Sequence, residues 1–297
     1  MTPLNLNDVT QYVETHIGDF HQSRLDKVNS VQLKDVLAKK NPYLFRAKNV
    51  TTSSEIIDGI LSAFLSSSEE GIFGNWMERL AIYVNQSVFN GRKAAVDGID
   101  LDFDRDGIRY LVAIKSGPNW GNDSQIKKLI DQFNTARGRL GTSGSKVVLQ
   151  CVNGCCYGIS HEGNEYKTKG AYYKICGQRF WELISGDPDL YTNLIEPLGH
   201  EAEKKNQEFD ESYGKLKNRL NAEFLTEFTN PDYSINWEKL VRFNSLFVPR
   251  APKAPKVKAA RATKIIDVTE STHIRKVAEA EPLTYGVEND PKGDIPK

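Results

Sequence analysis

Two neighbouring segments of the chain alternate between apolar and polar residues. The first, from Ile99 to Phe103, has an apolar residue at every second position and aspartates between them. The second, from Tyr110 to Lys115, would place Tyr110, Val112 and Ile114 on one face and Leu111, Ala113 and Lys115 on the other, and Asp106-Gly107 lies between the two segments. A period of two is typical of half-buried strands, and Asp-Gly is favoured in tight two-residue turns. The pattern therefore predicts an antiparallel β-hairpin.

The hairpin also predicts which charged side chains share a face. With a two-residue turn, Asp100 lies opposite Ala113, and Asp102 and Lys115 belong to the same face. Burying a lysine with two aspartates is costly unless the groups pair or bind a cation, and such clusters are enriched at functional sites. A solvated strand face with an ordinary salt bridge is the alternative. The pattern alone leaves both interpretations open.

The chain before the hairpin is helical by its periodicity. Apolar residues recur at three- and four-residue steps from about Asn7 to Lys27, and Asn5 or Asn7 is the expected N-cap. A further helix is predicted to begin after Thr52, because Glu55 follows three residues later as in a capping box. The broad apolar face of this helix suits either the core or a dimer contact, and the core is the favoured interpretation.

Two helices are predicted to flank the hairpin directly. The helix before it, from about Ile72 to Ser87, carries a single acidic residue, Glu78. This glutamate either reaches the acidic face of the hairpin or lies at the surface. After the hairpin, the loop SGPNWGNDSQ leads into a helix from about Asp123 to Arg139, with Asn122 or Asp123 as its cap.

The second half of the chain predicts more strands and then helices. Apolar runs predict strands at Ser145 to Val152, Cys155 to Ser160 and Tyr172 to Cys176. Beyond Gln178 the pattern is helical, with a long charged helix from about His200 to Phe228.

These elements predict an α/β (α+β) fold, in which a mixed central β-sheet is flanked by helices. We expect a helical N-terminal region over residues 1–71 that could mediate dimerisation. A core with additional C-terminal helices follows over residues 72–248. Residues 249–297 are rich in Pro, Lys and Arg near their start and have little to bury, so we expect a largely disordered basic tail.

Composition narrows the picture only slightly. Lys plus Arg and Asp plus Glu both number 39, so a surface that binds DNA would have to be local. Four cysteines, Cys151, Cys155, Cys156 and Cys176, lack paired C-x-x-C spacing, which favours buried strand cysteines over a zinc site. Without a leader or a long apolar run, the expectation is a reduced cytoplasmic protein with no membrane contact.

Three motifs in the central part of the chain resemble a known family. The order of a glutamate-bearing helix, an aspartate strand, a strand ending in Ala-Ile-Lys, a helix and a further strand resembles the core of the PD-(D/E)XK nuclease superfamily. More closely, GIDLDF, AIKSGPNWGN and VNGCCYG resemble the PmeII-type type II restriction endonucleases. The resemblance covers about Trp76 to Cys176 and implies a restriction-endonuclease-like core.

The resemblance implies roles for three residues. Asp100 matches the motif aspartate, a ligand for Mg²⁺, and Lys115 matches the lysine that lies beside the attacking water. Ala113 stands where the superfamily usually has Asp or Glu. Another carboxylate could substitute, the site could be inactive, or the residue could have been changed on purpose. We favour Glu78 as the substitute ligand, with Asp102 as the second choice.

The resemblance also points to residues that could contact DNA. Five side chains follow the lysine on the same loop and helix: Ser116, Asn119, Trp120, Asn122 and Lys127. Asparagine pairs well with adenine edges and phosphates, and lysine is suited to phosphates. The alternative is that SGPNWGN only shapes the turn and that the lysine only aids solubility.

The sequence therefore predicts a Mg²⁺-dependent type II restriction endonuclease. We expect it to cut both strands of double-stranded DNA at a specific, GC-rich interrupted palindrome, leaving 5′-phosphates. A homodimer suits a palindrome, and a cognate DNA methyltransferase would belong to the same system without implied contact. The alternatives are a structure-selective, resolvase-like repair nuclease and, because of Ala113, a DNA-binding protein on the same fold that does not cleave.

Overall fold

The structure is a computed structural model that describes residues 2–141, 148–161, 166–167 and 172–247. The described residues up to Phe247 form one compact unit. The predicted basic tail over residues 249–297 lies outside the described residues, as do residues 145–147 of one predicted strand.

Helices make up most of the described chain. In chain order they are α1 (Leu6–Ser30), α2 (Leu33–Leu37), α3 (Pro42–Ala47), α4 (Ser53–Phe89), α5 (Asp123–Gly141), α6 (Gln178–Ser185), α7 (Leu190–Asn193), α8 (Ile195–Leu198), α9 (Ala202–Phe228) and α10 (Trp237–Ser245). The helix α10 has no counterpart in the sequence prediction. Asn236 caps it, accepting a hydrogen bond from the backbone N–H of Lys239 at 2.9 Å.

The strands of the described residues form one mixed sheet. They are β1 (Leu101–Arg105), β2 (Ile108–Lys115), β3 (Val148–Cys155), β4 (Tyr166–Lys167) and β5 (Tyr172–Cys176), in the order β1-β2-β3-β5-β4. The pairs β1–β2 and β4–β5 are antiparallel, and β2–β3 and β3–β5 are parallel. Helix α5 connects the parallel strands β2 and β3. The predicted mixed α/β architecture flanked by helices is confirmed.

The predicted hairpin and its register are also confirmed. Arg105 pairs with Ile108, so the turn consists of Asp106 and Gly107, which have φ angles of 52° and 77°. Positive φ at both positions is the geometry of a type I′ turn, which matches the twist of the two strands. Leu101 pairs with Val112, which places the preceding Asp100 beside Ala113.

Helix α4 corrects the prediction of two separate helices. It runs for 37 residues without interruption, and the boundary expected at residue 71 falls inside it. The capping box is present, since Thr52 Oγ1 accepts from Glu55 N at 3.3 Å and Glu55 Oε2 accepts from Thr52 N at 3.0 Å. The polar stretch from Ser66 to Glu70 suggested a break, but it contains no proline, so every backbone N–H can continue the helix.

The two halves of α4 pack into different apolar clusters. Its first half lies against α9 through fully buried isoleucines, among them Ile56 and Ile60, which pack near Leu220 and Phe224. The broad apolar face of this half is therefore core, as favoured from the sequence. The second half packs with α1 and α6 on one face of the sheet, and α5 covers the other face.

A predicted strand at Cys155 to Ser160 is wrong. The strand β3 ends at Cys155, and the chain then leaves the sheet in a loop that includes Gly158, at φ 112°. The apolar residues of this loop misled the pattern, because Ile159 is exposed rather than inside. The four cysteines are free thiols and all are buried, which confirms the prediction made for them.

Candidate active site

Asp100 and Lys115 meet where the hairpin opens, at the start of β1 and the end of β2. Lys115 Nζ lies 3.9 Å from Asp100 Oδ2, and the two side chains are 30% and 15% exposed. Strand parity places both on the face that α5 covers. The pairing predicted from the sequence is therefore present, in a position that is partly open to solvent.

The backbone N–H and carbonyl of Ile114 order the two charged side chains. Its backbone N–H donates to Asp100 Oδ2 at 2.7 Å, which orients the carboxylate. Lys115 Nζ donates to the Ile114 carbonyl oxygen at 2.9 Å. The two peptide groups that flank the Cα atom of Ile114 thus contact the carboxylate and the ammonium, respectively.

Glu78 approaches the same position from the opposite face of the sheet. It lies on α4, in the half of this helix that packs against Val112 and Ile114, and its side chain is half-buried. Burial raises the pKa of Glu78, and the negative charge of Asp100 raises it further, whereas Lys93 and Lys115 lower it. A Cβ on Gly74, one turn before Glu78, would lie 3.3 Å from the Cβ of Ser116, so this part of α4 lies at the end of β2 that carries Lys115.

Opposing effects also act on the pKa of Asp100. Burial raises its pKa, and the hydrogen bond from Ile114 and the charges of Lys115 and Lys93 oppose that rise. Each carboxyl is thus harder to ionise than an ordinary surface acid. Two partly desolvated carboxylates that repel one another form a position where a bound cation is favourable.

Lys93 is a member of this cluster that the sequence did not reveal. It is exposed, and its charge acts on both Glu78 and Asp100. The residue before it, Arg92, forms an isolated β-bridge with Asp102, and this bridge holds the segment against the edge of β1. Residues 90–98 show neither helical nor strand periodicity, so the sequence does not indicate where Lys93 lies.

Asp102 has different partners from Asp100. Its oxygens accept from Arg109 Nε at 2.8 Å and from Arg109 Nη2 at 2.6 Å, and Arg92 lies 3.6 Å away. Asp102 and Arg109 are both largely buried. The structure thus places Asp102 in a bidentate ion pair farther along the hairpin. The register carried a signal for this pair, because Arg109 lies on the same face two residues from the partner of Asp102.

Ala113 lies in an apolar setting. It is fully buried, in the cluster that joins the sheet to α5 and includes Leu111 and Phe133. Its partner in β3 is Asn153, a fully buried polar residue whose Nδ2 donates to the Ala113 carbonyl oxygen at 3.2 Å. The position of the expected acid is thus flanked by apolar side chains and a carboxamide. Asn153 was missed from the sequence, because the predicted strand ended at Val152, whereas β3 continues to Cys155.

Trp120 connects this carboxamide to the lysine. Its indole N–H donates to Asn153 Oδ1 at 2.8 Å, and Lys115 Nζ lies 5.4 Å from the centre of its ring. The second distance is within the range of a cation–π interaction. The loop between β2 and α5 thus contacts both the lysine and β3.

A comparison with known families matches a large part of the chain. The family model described as type II restriction endonuclease EcoO109I matches residues 7–206, about two thirds of the chain. The chain belongs to this family of type II restriction endonucleases. No curated protein matches it. The matched range contains Glu78, Asp100 and Lys115, and the family implies hydrolysis of DNA.

The family confirms part of the resemblance found in the sequence. Membership among the type II restriction endonucleases is confirmed, and the finer assignment to the PmeII type stays a prediction. None of the helices in the described part of the chain is long and apolar enough to cross a membrane.

Glu78 and Asp100 are the residues of this restriction endonuclease that could hold a divalent cation. Mg²⁺ prefers hard oxygen ligands and usually takes only one or two carboxylates, completing its shell with waters and substrate phosphate. The described residues contain no group of three or more His, Cys, Asp or Glu side chains placed to bind a metal.

The side chains that were expected to contact DNA fall into two groups. Asn122 caps α5, because its Oδ1 accepts from Gln125 N at 3.1 Å and its N–H donates to Gln125 Oε1 at 2.9 Å. Trp120 is half-buried and hydrogen-bonded, so both residues shape the turn. Two others, Asn119 and Lys127, are exposed, and Ser116 is half-buried beside Gly74.

Proposed function

We propose that this restriction endonuclease cleaves DNA with Mg²⁺ at a site formed by Glu78, Asp100 and Lys115. The observation that carries the proposal is the packing of α4 against the end of β2, where a Cβ on Gly74, one turn before Glu78, would lie 3.3 Å from the Cβ of Ser116, next to Lys115. The charges of Asp100 and Lys115 also act on the pKa of Glu78. With Ala113 unable to bind a metal, the second carboxylate comes from α4. The site therefore has two acids and one lysine despite the missing motif residue.

The two carboxylates would hold the metal, and a bound Mg²⁺ would supply stabilisation of the charge that develops on the scissile phosphate. Asp100 is oriented for this role by the backbone N–H of Ile114. Glu78 adds a second negative oxygen ligand. Because each acid destabilises the ionised form of the other, neutralisation by a cation favours the ionised state of both.

Lys115 acts on the nucleophile and on the phosphate. Its ammonium is held between Asp100 Oδ2, the Ile114 carbonyl and the Trp120 ring, so it presents a positive charge at the edge of the carboxylate pair. There it orients the attacking water and offsets the negative charge of the scissile phosphate. Hydrolysis in this arrangement leaves a 5′-phosphate and a 3′-hydroxyl.

The specificity that we propose follows from the sequence resemblance and from symmetry. We propose a GC-rich interrupted palindrome as the recognition site, cut in both strands by a homodimer with one active site for each strand. The apolar face around Ile56 and Ile60 is buried within the chain, so the dimer would use another surface. A cognate methyltransferase would protect the same sequence in the host.

The experiment is a cleavage assay on phage DNA of known sequence, with and without Mg²⁺. The wild-type protein, Lys115→Ala, Asp100→Asn and Glu78→Gln are compared at equal concentration. We expect discrete fragments with wild type and Mg²⁺, and a loss of at least about 100-fold in each variant, since each removes a group that acts in the transition state. Fragment ends are sequenced to identify the site.

The other outcomes decide between the alternatives. Glu70→Gln is the matched control, because Glu70 is an exposed glutamate two turns earlier on α4, and it should cut like wild type. Full activity of Glu78→Gln would show that the site uses another carboxylate. Binding without cleavage by wild type would favour the non-cleaving protein that Ala113 suggests. Cleavage of branched DNA alone would identify a structure-selective nuclease.

A further inference from the structure

Asn153 is a fully buried carboxamide with hydrogen bonds at both ends. Its Nδ2 donates to the Ala113 carbonyl at 3.2 Å, and its Oδ1 accepts from the indole N–H of Trp120 at 2.8 Å. A buried polar group is retained at little cost only when its partners are present. The two bonds join β2, β3 and the loop after β2 at one point, immediately below the carboxylate and lysine cluster.

The indole of Trp120 is fixed on one side by this carboxamide and contacts the lysine on the other. Lys115 Nζ lies 5.4 Å from the ring centre. The same loop is held elsewhere too, because Lys174 Nζ donates to the Pro118 carbonyl at 2.6 Å. The ring therefore has a defined position, and it limits where the flexible lysine stem can place its ammonium.

We propose that Asn153 is a positioning residue for the cleavage reaction, which acts through Trp120 to hold the ammonium of Lys115 beside the carboxylates. The proposal rests on the proposed function, because it takes Lys115 as the lysine of the cleavage site. Asn153 itself contacts neither substrate nor metal. Its Oδ1 accepts from the indole N–H of Trp120 and so fixes the ring. The face of the ring then favours the Lys115 ammonium beside the carboxylates.

The physical reason is that a lysine side chain has four rotatable bonds and binds as a point charge without a preferred direction. Without the acceptor on Asn153, the indole N–H would turn toward water, and the ring would lose its fixed orientation. A displacement of about 1 Å at a reacting group is enough to cost roughly 100-fold in rate. Binding of DNA, which depends on many phosphate contacts, should change little.

The test compares single-turnover cleavage by Asn153→Ala, Trp120→Phe and the double variant. The phenylalanine keeps a ring but cannot donate to Asn153. We expect both single variants to lose roughly 10- to 100-fold in single-turnover rate at unchanged DNA affinity. Because the two residues act through one hydrogen bond, the double variant should be no slower than the slower single variant.

Asn85→Ala is the matched control. Asn85 is also fully buried, lies on α4, and donates its Nδ2 to the Ile184 carbonyl at 3.0 Å, with no hydrogen bond to the cleavage site among the described residues. It should lower stability as Asn153→Ala does and leave the cleavage rate unchanged. A merely structural role for Asn153 would give the two alanine variants the same rate.

A readout without cleavage separates this proposal from the proposed function. The chain has 4 tryptophans, so isotope-labelled protein should give four indole N–H resonances, and Trp120→Phe identifies the one from Trp120. In Asn153→Ala this resonance should shift and exchange faster with water, and the side-chain resonance of Lys115 should shift because the Trp120 ring beside it changes orientation. Asn85→Ala should change neither.

Each outcome bears on the proposal. Unchanged Trp120 and Lys115 resonances in a folded Asn153→Ala variant would overturn it, as would a wild-type cleavage rate in that variant. If Asn153→Ala does not fold, the rate of Trp120→Phe decides, and a wild-type rate overturns the proposal. If wild type cleaves no DNA, the proposed function fails, and the resonances still decide whether Asn153 positions Lys115.

Discussion

Asp102 and Arg109 form a bidentate ion pair within the hairpin, with Nε–Oδ1 and Nη2–Oδ2 distances of 2.8 Å and 2.6 Å. Asp102 was the second choice for a metal ligand. A carboxylate that already accepts two charge-assisted hydrogen bonds gains little by turning to a metal, so we propose that Asp102 stabilises the hairpin.

The first prediction concerns this pair. Asp102→Ala leaves the largely buried guanidinium of Arg109 without its main partner, and we expect the free energy of unfolding to fall by about 1–3 kcal/mol. The response to Mg²⁺ should remain. Urea unfolding and a calorimetric Mg²⁺ titration measure both quantities. Asp131→Ala, at an exposed aspartate on α5, should change neither, and a lost Mg²⁺ response at unchanged stability would restore Asp102 as a ligand.

The second prediction concerns the missing motif acid. Ala113→Glu would place a carboxylate among Leu111, Phe133 and the carboxamide of Asn153, so we expect a fall in unfolding free energy of about 2 kcal/mol or more. It should bring no gain in cleavage. Ala113→Val adds volume without charge, so it separates the cost of overpacking from the cost of burying a charge. A stable Ala113→Glu variant that cuts faster than wild type would show that the site lacks its native acid.

The third prediction is a pH dependence. Burial raises the pKa of both Glu78 and Asp100, so between the ordinary carboxyl range and the raised values the folded protein holds more protons than the unfolded chain. Stability from these groups is therefore largest at low pH and falls as pH rises through their raised pKa values. Mg²⁺ binds the ionised forms and should stabilise the protein more at pH 8 than at pH 5.

Thermal unfolding with and without Mg²⁺ at several pH values measures this effect. Glu78→Gln and Asp100→Asn should each raise the melting temperature at neutral pH without metal, and each should remove most of the stabilisation by Mg²⁺. Glu70→Gln should behave as wild type. A Mg²⁺ effect that is independent of pH in the wild-type protein would contradict the assignment of both acids.

The fourth prediction concerns Lys93. Its positive charge lowers the pKa of both Glu78 and Asp100, so Lys93→Ala should raise both pKa values. We expect the pH at half-maximal cleavage to rise by a fraction of a unit, and the shift should shrink at high salt because Lys93 is exposed. Lys48→Ala, another exposed lysine, is the control. Identical pH profiles for the two variants at low salt would show that Lys93 does not act on the carboxylates.

Several parts of the site were predictable from short stretches of sequence. The alternation of β1 and β2 and the Asp-Gly turn determined the hairpin register, and with it the common face of Asp100 and Lys115. Residues this close along the chain have their relative positions determined by strand geometry and turn type alone. The capping box at Thr52 and the cap of α5 at Asn122 were predictable for the same reason, since caps depend on side chains within one turn.

Contacts between distant segments were not predictable in this way. The sequence indicated Glu78 only as a candidate, because its approach to Asp100 depends on how α4 packs against the sheet. The same holds for Lys93, which a single β-bridge at Arg92 places near the carboxylates. The sequence prediction missed the continuity of α4, because the polar stretch from Ser66 to Glu70 resembles a break between two helices. In the structure the two halves of this one helix pack in two separate apolar clusters.

The sequence by itself thus determined the strand pair, the Asp100–Lys115 relationship and the absence of an acid at Ala113, since these depend on residue identity and on the period of two. Only the tertiary structure decided that α4 packs against β1 and β2, that Asp102 pairs with Arg109, and that Asn153 lies buried between Ala113 and Trp120. These relationships depend on the packing of α4, β3 and the loop after β2, and packing brings together residues that no local pattern connects.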